Sequence, residues 1–246
     1  FGTDPVEWTA SRGTGGTMQE TASTGGDRPV RVLQVTDPHL FADAATEIYG
    51  IRTAGSFAAV VAQATASGAR PDAVLVTGDI GDDLTEAAYG RFRDTLAPLG
   101  VPVFCLPGNH DEPATMSRLF GGTGFQFGGS ATLGPWRLVL LDSHVPGEPF
   151  GRLGPGRLAD LDRDLAAFPG RPTLVAVHHP PMPVGSAWID ALGLQDGPAL
   201  LDLLARHPAA RAVTSGHVHQ AFEGHHAQLR LFTTPSTCAQ FTPGTE

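Results

Sequence analysis

AVLVTGDIGDD, residues Ala73 to Asp83, decides how the rest of the chain is read. A short apolar run breaks off in Gly78-Asp79, which puts Asp79 just past the end of a buried strand with its oxygens facing a crevice. One such pair proves little, because an Asp after a strand more often caps a helix than binds a ligand. Here the pattern repeats. Val30 to Thr36 runs into Asp37-Pro38-His39, and Val103 to Leu106 into Pro107-Gly108-Asn109-His110-Asp111. Thr173 to Val177 runs into His178-His179-Pro180, and Arg211 to Ser215 into Gly216-His217-Val218-His219. Ligand-type residues thus stand at the same end of five successive strands, the end at which α/β sheets bind ligands.

Between these strands lie helical stretches. The Ala-rich run Gly55 to Ser67, closed by Gly68, has helical composition, and Thr85 is placed to cap a helix reaching Leu99. Pro113 to Phe120 reads as a short helix ended by Gly121-Gly122, and Gly156 to Phe168 as an amphipathic one. Asp196, followed by Pro198, caps a helix to about His207. Trp136 to Leu141 and Leu229 to Thr233 are further strands. The alternation predicts an α/β layered fold with helices outside. A four-layer α/β/β/α sandwich accounts for the extra strands, though periodicity alone does not separate it from a three-layer doubly wound sheet.

With 246 residues, 41% of them hydrophobic, the chain can bury a core and fits one large domain, expected over residues 29–246. Residues 1–28, rich in Gly, Thr and Ser, read as a flexible leader, and the stretch before Met18 as vector-derived or upstream sequence. The net charge of -9 argues against general affinity for nucleic acid or anionic lipid, so a phosphate substrate would be met by local cations such as metal ions. Cys105 and Cys238 do not make a disulfide framework, and no stretch has the length of a membrane span; both observations fit a cytoplasmic protein. The oligomeric state has no signature in the sequence.

Asp37, His39, Asp79, Asn109, His178, His217 and His219 form an oxygen and nitrogen ligand set without cysteine. Such a set suits Mn, Fe or Zn better than Ca or Mg. Asp37 and His39 are two apart, as are His217 and His219, and in extended backbone each pair would point one way. Two ions about 3.5 to 4 Å apart, sharing Asp79, would activate a bridging hydroxide and neutralise charge on a phosphoryl group.

The blocks DPH, GDIGD, GNHD, HHPP and GHVH, from Val30 to the C-terminus, resemble the signature of the calcineurin-like metallophosphoesterases. LPGNHD, LDSHVPG, GHVHQ and TPSTCAQF resemble, more narrowly, the bacterial class III cyclic nucleotide phosphodiesterases. The resemblance implies the four-layer sandwich and a binuclear centre of Mn or Fe, with Zn as a third choice. One ion would take Asp37, His39, Asp79 and His219, the other Asp79, Asn109, His178 and His217. It also implies that His110 contacts phosphate as the catalytic histidine, that Asp82 orients it, and that the chain ends before a final strand pair. The implied activity is hydrolysis of a small phosphodiester, cyclic AMP to 5′-AMP. The alternatives are another phosphoester, such as a glycerophosphodiester, and a scaffold that has lost catalysis.

Other residues carry plainer expectations. His144, His207, His225 and His226 read as solvated loop or helix-end residues, His179 as a hydrogen-bonding or wall residue behind the ligands, and Asp83 as an exposed acid before the Thr85 helix. Gly108 reads as a residue serving backbone geometry.

Overall fold

The computed structural model describes residues 29–245 apart from 67, 69, 122 and 123, so the expected leader lies outside the described residues. In chain order the elements are β1 (Val32–Val35), β2 (Glu47–Ile48), β3 (Ile51–Arg52), α1 (Thr53–Ala66), β4 (Ala73–Val76) and α2 (Glu86–Leu96). They continue with β5 (Val103–Cys105), α3 (Pro113–Phe120), β6 (Phe125–Phe127), β7 (Gly129–Leu133), β8 (Trp136–Leu141), α4 (Gly154–Ala167) and β9 (Thr173–Val177). α5 (Ala187–Asp190), α6 (Gly197–Ala205), β10 (Ala210–Ser215), β11 (Phe222–His226) and β12 (Leu229–Thr233) complete the order. None of these helices is long and apolar enough to cross a membrane.

Two sheets form. The first is parallel throughout, in the order β1-β4-β5-β6. The second runs β11-β12-β10-β9-β8-β7, parallel in its middle with antiparallel pairs at both edges. The side chains show how they stack. Val74, Val76, Val103 and Cys105 pack with Phe57, Phe92, Met116 and Phe120 under α1, α2 and α3. Their strand neighbours Ala73, Leu75, Phe104 and Leu106 point the other way and meet Leu138, Leu140 and Ala176 of the second sheet. The far face of that second sheet, through Val139, Val175 and Val213, packs against α4 and α6. Three apolar layers between four structural layers settle the choice left open by periodicity: the fold is the α/β/β/α sandwich. The run AVLV is apolar without alternation because β4 is buried on both faces.

Within the inter-sheet layer one polar side chain crosses the gap. Gln34 Nε2 donates to Thr77 Oγ1 (3.0 Å) and to the Ser215 carbonyl, and Gln34 Oε1 accepts from Thr214 Oγ1 (2.6 Å). It sits close to the strand ends that carry the candidate ligands and ties one sheet to the other.

Several expectations shift in detail. Thr85 does cap α2, accepting from Ala88 N, but the last turn to Leu99 is a 3-10 helix. β6, β7, β11 and the β2–β3 hairpin carry too little apolar pattern to be read from sequence; β7, GSATL, is largely exposed at the sheet edge. His225 and His226 belong to edge strand β11, not to a loop or a helix end. His207 is tied to Asp162 through Nε2 at 2.6 Å. Asp196 precedes α6 as expected, but its side chain does not cap it. Instead both carboxylate oxygens accept from Leu153 N and Gly154 N at the start of α4, pinning one helix to the entrance of the other.

Asp196→Ala is therefore expected to leave Leu153 N and Gly154 N without that acceptor and to destabilise the domain by about 1–2 kcal/mol. Urea denaturation checks this, with Asp196→Asn retaining part of the loss.

Candidate metal centre

The strand ends converge where the two sheets meet, and the chain reaches that geometry through backbone that L-residues seldom adopt. Asp37, His39, Asp79, His217 and His219 have φ of 51°, 45°, 52°, 68° and 49°. These are left-handed conformations held by their surroundings. The pairs at spacing two are thus not extended, as the spacing suggested. The kinks also divide one pair: His219 stands with Asp37 and His39, whereas His217 stands with His178 and His179.

Hydrogen bonds zip the loops together beyond the strands. Asp37 N donates to Gly78 O, His39 N to Asp79 O and Leu40 N to Ile80 O, extending the β1–β4 ladder through the turn. His217 N donates to both oxygens of Asp37, joining the second sheet to the first. Space is as tight as bonding. Gly108, expected to serve backbone geometry, is needed for close approach: a Cβ there would stand 2.0 Å from Asp79 Oδ1. Gly78, at φ 99°, could carry no side chain either, because a Cβ would meet Gly108 N and His178 Nδ1 at 2.6 Å.

The imidazoles are oriented from behind. His178 Nδ1 lies 2.6 Å from the Thr77 carbonyl and His219 Nδ1 2.8 Å from the Ala239 carbonyl; a carbonyl only accepts, so each Nδ1 carries the proton. His39 Nδ1 donates likewise to Asp82 Oδ1 at 3.0 Å. Their Nε2 atoms then face inward. His39 Nε2 and His219 Nε2 are 3.2 Å apart, and the buried His217 Nε2 has no hydrogen-bond partner. His178 Nε2 lies 3.2 Å from Asn109 Oδ1 and 3.4 Å from Asp79 Oδ2, and His219 Nε2 3.4 Å from Asp37 Oδ1. Inward-facing imidazole nitrogens and carboxylates packed this closely repel one another unless protons or metal cations lie among them. The donor set fits a binuclear metal centre.

Charge tells the same story. Burial would raise the Asp79 carboxyl, but His178 and then His39 hold it well below the usual range. Burial would lower His178, yet Asp79 carries it up to about 9. His217, buried and facing His178, is pushed down to about 3, so it stays neutral. His179 is also driven down by burial and by His178; its Nδ1 lies 2.8 Å from Ser143 Oγ, while its buried Nε2 has no hydrogen-bond partner and stands with His178 and His217. All seven sequence-proposed ligands are thus brought together.

His110, half-exposed, stands beside His39 and Asp79: its ring lies edge-on to His39 at 4.9 Å, and its backbone N donates to Asp79 Oδ1. Its Nδ1 donates to Asp82 Oδ1 at 2.8 Å, the oxygen that also holds His39, and this bond raises His110 to about 9. Residues given no such role from the sequence complete the site. Asp111, buried, accepts from Ile80 N, Gly81 N and Gly108 N and so locks the Asp79 loop to the Asn109 loop. Ser236 Oγ donates to the Asp37 carbonyl, and Phe241 stacks on His219 at 4.3 Å. Asp83 is no free acid: it accepts from Ala42 N and from Thr85.

A family model described as calcineurin-like phosphoesterase matches residues 30–221. The 3′,5′-cyclic adenosine monophosphate phosphodiesterase CpdA of Vibrio vulnificus is 41% identical over 228 residues, covering 92% of this chain and 83% of that protein. The protein of the same description from Escherichia coli K12 is 37% identical over 224 residues, 91% of this chain and 82% of its own. Among solved structures, a dimetal phosphatase from Danio rerio aligns with TM-score 0.68 at 18% identity over 85% of this chain and 88% of that one. Phosphopantetheinyl hydrolase from Mycobacterium tuberculosis aligns with TM-score 0.55 at 15% identity over 84% and 90%. At such identities the structural likeness concerns the fold alone.

Gly108→Ala is expected to displace the Asp79 carboxylate and reduce bound transition metal to below one ion per chain, read by elemental analysis on protein whose circular dichroism remains that of the wild type.

Proposed function

The chain belongs to the calcineurin-like phosphoesterases, and within that family we propose that it is a binuclear metal-dependent phosphodiesterase opening 3′,5′-cyclic nucleotides, cyclic AMP to 5′-AMP. The observation that carries the chemistry is the meeting of two ligand groups on one buried carboxylate, Asp79. The relatives named as cyclic AMP phosphodiesterases, at up to 41% identity over most of both chains, supply the nucleotide. Asp37, His39, Asp79 and His219 would hold one ion, and Asp79, Asn109, His178 and His217 the other. The imidazole-rich set favours Mn or Fe, with Zn also suited. When bound, the ions supply Lewis-acid activation of water and neutralise charge on the phosphoryl oxygens.

The remaining roles fall to the protein. The leaving 3′ alkoxide is strongly basic, so protonation as the P–O bond breaks lowers the barrier. His110, charged through Asp82 and open to solvent, is the group placed to donate that proton from Nε2 while Asp82 holds Nδ1. Asp82 acts as a positioning residue, and because it also holds His39 it sets the distance between acid and ligands. A cytoplasmic setting agrees with the substrate and with two buried free cysteines.

Reconstitution with Mn is expected to give two ions per chain, and cyclic AMP to yield 5′-AMP by chromatography. Accumulation of 3′-AMP would reverse the assigned geometry, and brisk glycerophosphodiester cleavage without nucleotide turnover would replace the substrate. His110→Ala should keep metal content near wild type while turnover falls roughly a hundredfold. Asp79→Ala should lose metal and turnover together, whereas metal loss in both variants would make His110 a ligand.

A further inference from the structure

We propose that the cavity on the outer side of His110 is the nucleobase subsite, with Leu84 and His144 as its specificity-determining walls; this rests on the cyclic nucleotide reading above. The cavity, of about 640 Å³, is bounded by the loops that follow β4, β5 and β8 and opens onto Asn109 and His110. Its volume lies in the range of small-molecule sites and accommodates a nucleoside. Position follows from the chemistry. In-line displacement sends the 3′ oxygen out opposite the entering water oxygen, and His110 protonates that oxygen. The sugar bonded to it therefore extends past His110, and the base continues into the space beyond.

The lining fits a flat, uncharged ring. Leu84, Pro113 and Pro146 supply apolar surface, and His144 an imidazole that can stack or exchange hydrogen bonds with a base edge. The charged lining residues are Asp82, Asp111 and Glu112 beside His110, which is paired with Asp82, and there is no Lys or Arg among the described residues there. Such a wall rejects a second phosphate or an anionic head group and accepts a neutral base.

Leu84 adds an independent observation. It is half-exposed and has φ 58°, a conformation that costs a bulky residue strain. The strain is imposed by neighbours: Asp83 binds Ala42 N through one oxygen and Thr85 N and Oγ1 through the other, fixing the turn. Glycine would meet this backbone at lower cost, so folding does not account for leucine at the cavity mouth. A ligand-facing apolar contact does.

The test compares Leu84→Gly, His144→Ala and, as a control on the other aromatic surface near His219, Trp188→Ala, all as Mn-loaded full chains. Leu84→Gly is expected to melt no lower than wild type, yet to raise KM for cyclic AMP about tenfold with kcat within about threefold. His144→Ala should raise the same KM, Trp188→Ala should not, and turnover of bis(p-nitrophenyl) phosphate, which has no base, should be unchanged in all three. Saturation-transfer NMR with 5′-AMP gives a readout apart from activity: the adenine protons should receive magnetisation from wild type and lose it in the Leu84→Gly, His144→Ala double variant. Cyclic AMP turnover with KM unchanged at Leu84 and His144, or altered only at Trp188, would overturn the subsite alone. A wild type that does not hydrolyse cyclic AMP would overturn the functional reading and this inference with it.

Discussion

A carboxylate buried at the seam of two sheets is the constraint on which this structure depends. Asp79 ends the most deeply buried strand, and a lone carboxylate there would be costly by several kcal/mol after relaxation. The surroundings answer that cost locally. His110 N donates to Asp79 Oδ1, and His178 and His39 present imidazoles to the other oxygen. The same crowding removes any side chain from Gly108 and Gly78 and fixes where β5 and β9 must end. Packing and electrostatics therefore set one geometry from both sides, which is the condition for a preorganised site.

Holding five non-glycine residues in left-handed backbone, at about 1–3 kcal/mol each, requires a frame that leaves no alternative. That frame is built from main-chain bonds between loops and from Asp111, whose carboxyl, raised to about 6 by burial and by Asp79, accepts three backbone N–H groups. It extends to the C-terminal segment, where Thr237 N and Ser236 Oγ bind the Thr36 and Asp37 carbonyls and Ala239 O orients His219. A segment distant in sequence thus fixes the tautomer of a candidate ligand.

The sequence made the ligand residues legible because their side-chain chemistry is rare at five strand ends together: a carboxylate, an amide or an imidazole after each apolar run. Strand and helix order was equally readable wherever burial imposed a pattern, as in β4, α3, β8, β9 and β12. What escaped reading was whatever acts through the main chain or through an edge. The Thr77 and Ala239 carbonyls belong to residues of no diagnostic type, and the left-handed turns at Asp37 and His217 have no compositional mark. Edge strands β7 and β11 carry polar and glycine residues because one side meets water. Asp83 and Asp196 looked like ordinary acids ahead of helices. Their partners, Ala42 and Leu153, are about forty residues away, a distance over which local pattern holds no information.

Separation of tasks follows from this layout. Groups that face the centre are buried, fixed from behind and have no freedom to adapt. Discrimination must then come from parts that can vary without moving the centre. The loops after β4, β5 and β8 meet this requirement, since the first two pass the centre at Asp79 and Asn109 before they reach the cavity, and the third reaches it after Ser143, which is bonded to His179. Asp82 joins the two regions: through one oxygen it holds a candidate ligand, His39, and the candidate acid, His110, and two residues later the chain presents Leu84. A change beyond Asp83, whose two oxygens anchor the turn, can reshape the cavity while leaving Asp82 and the acid in place. A change at Asp82 itself would disturb the ligands and the acid together.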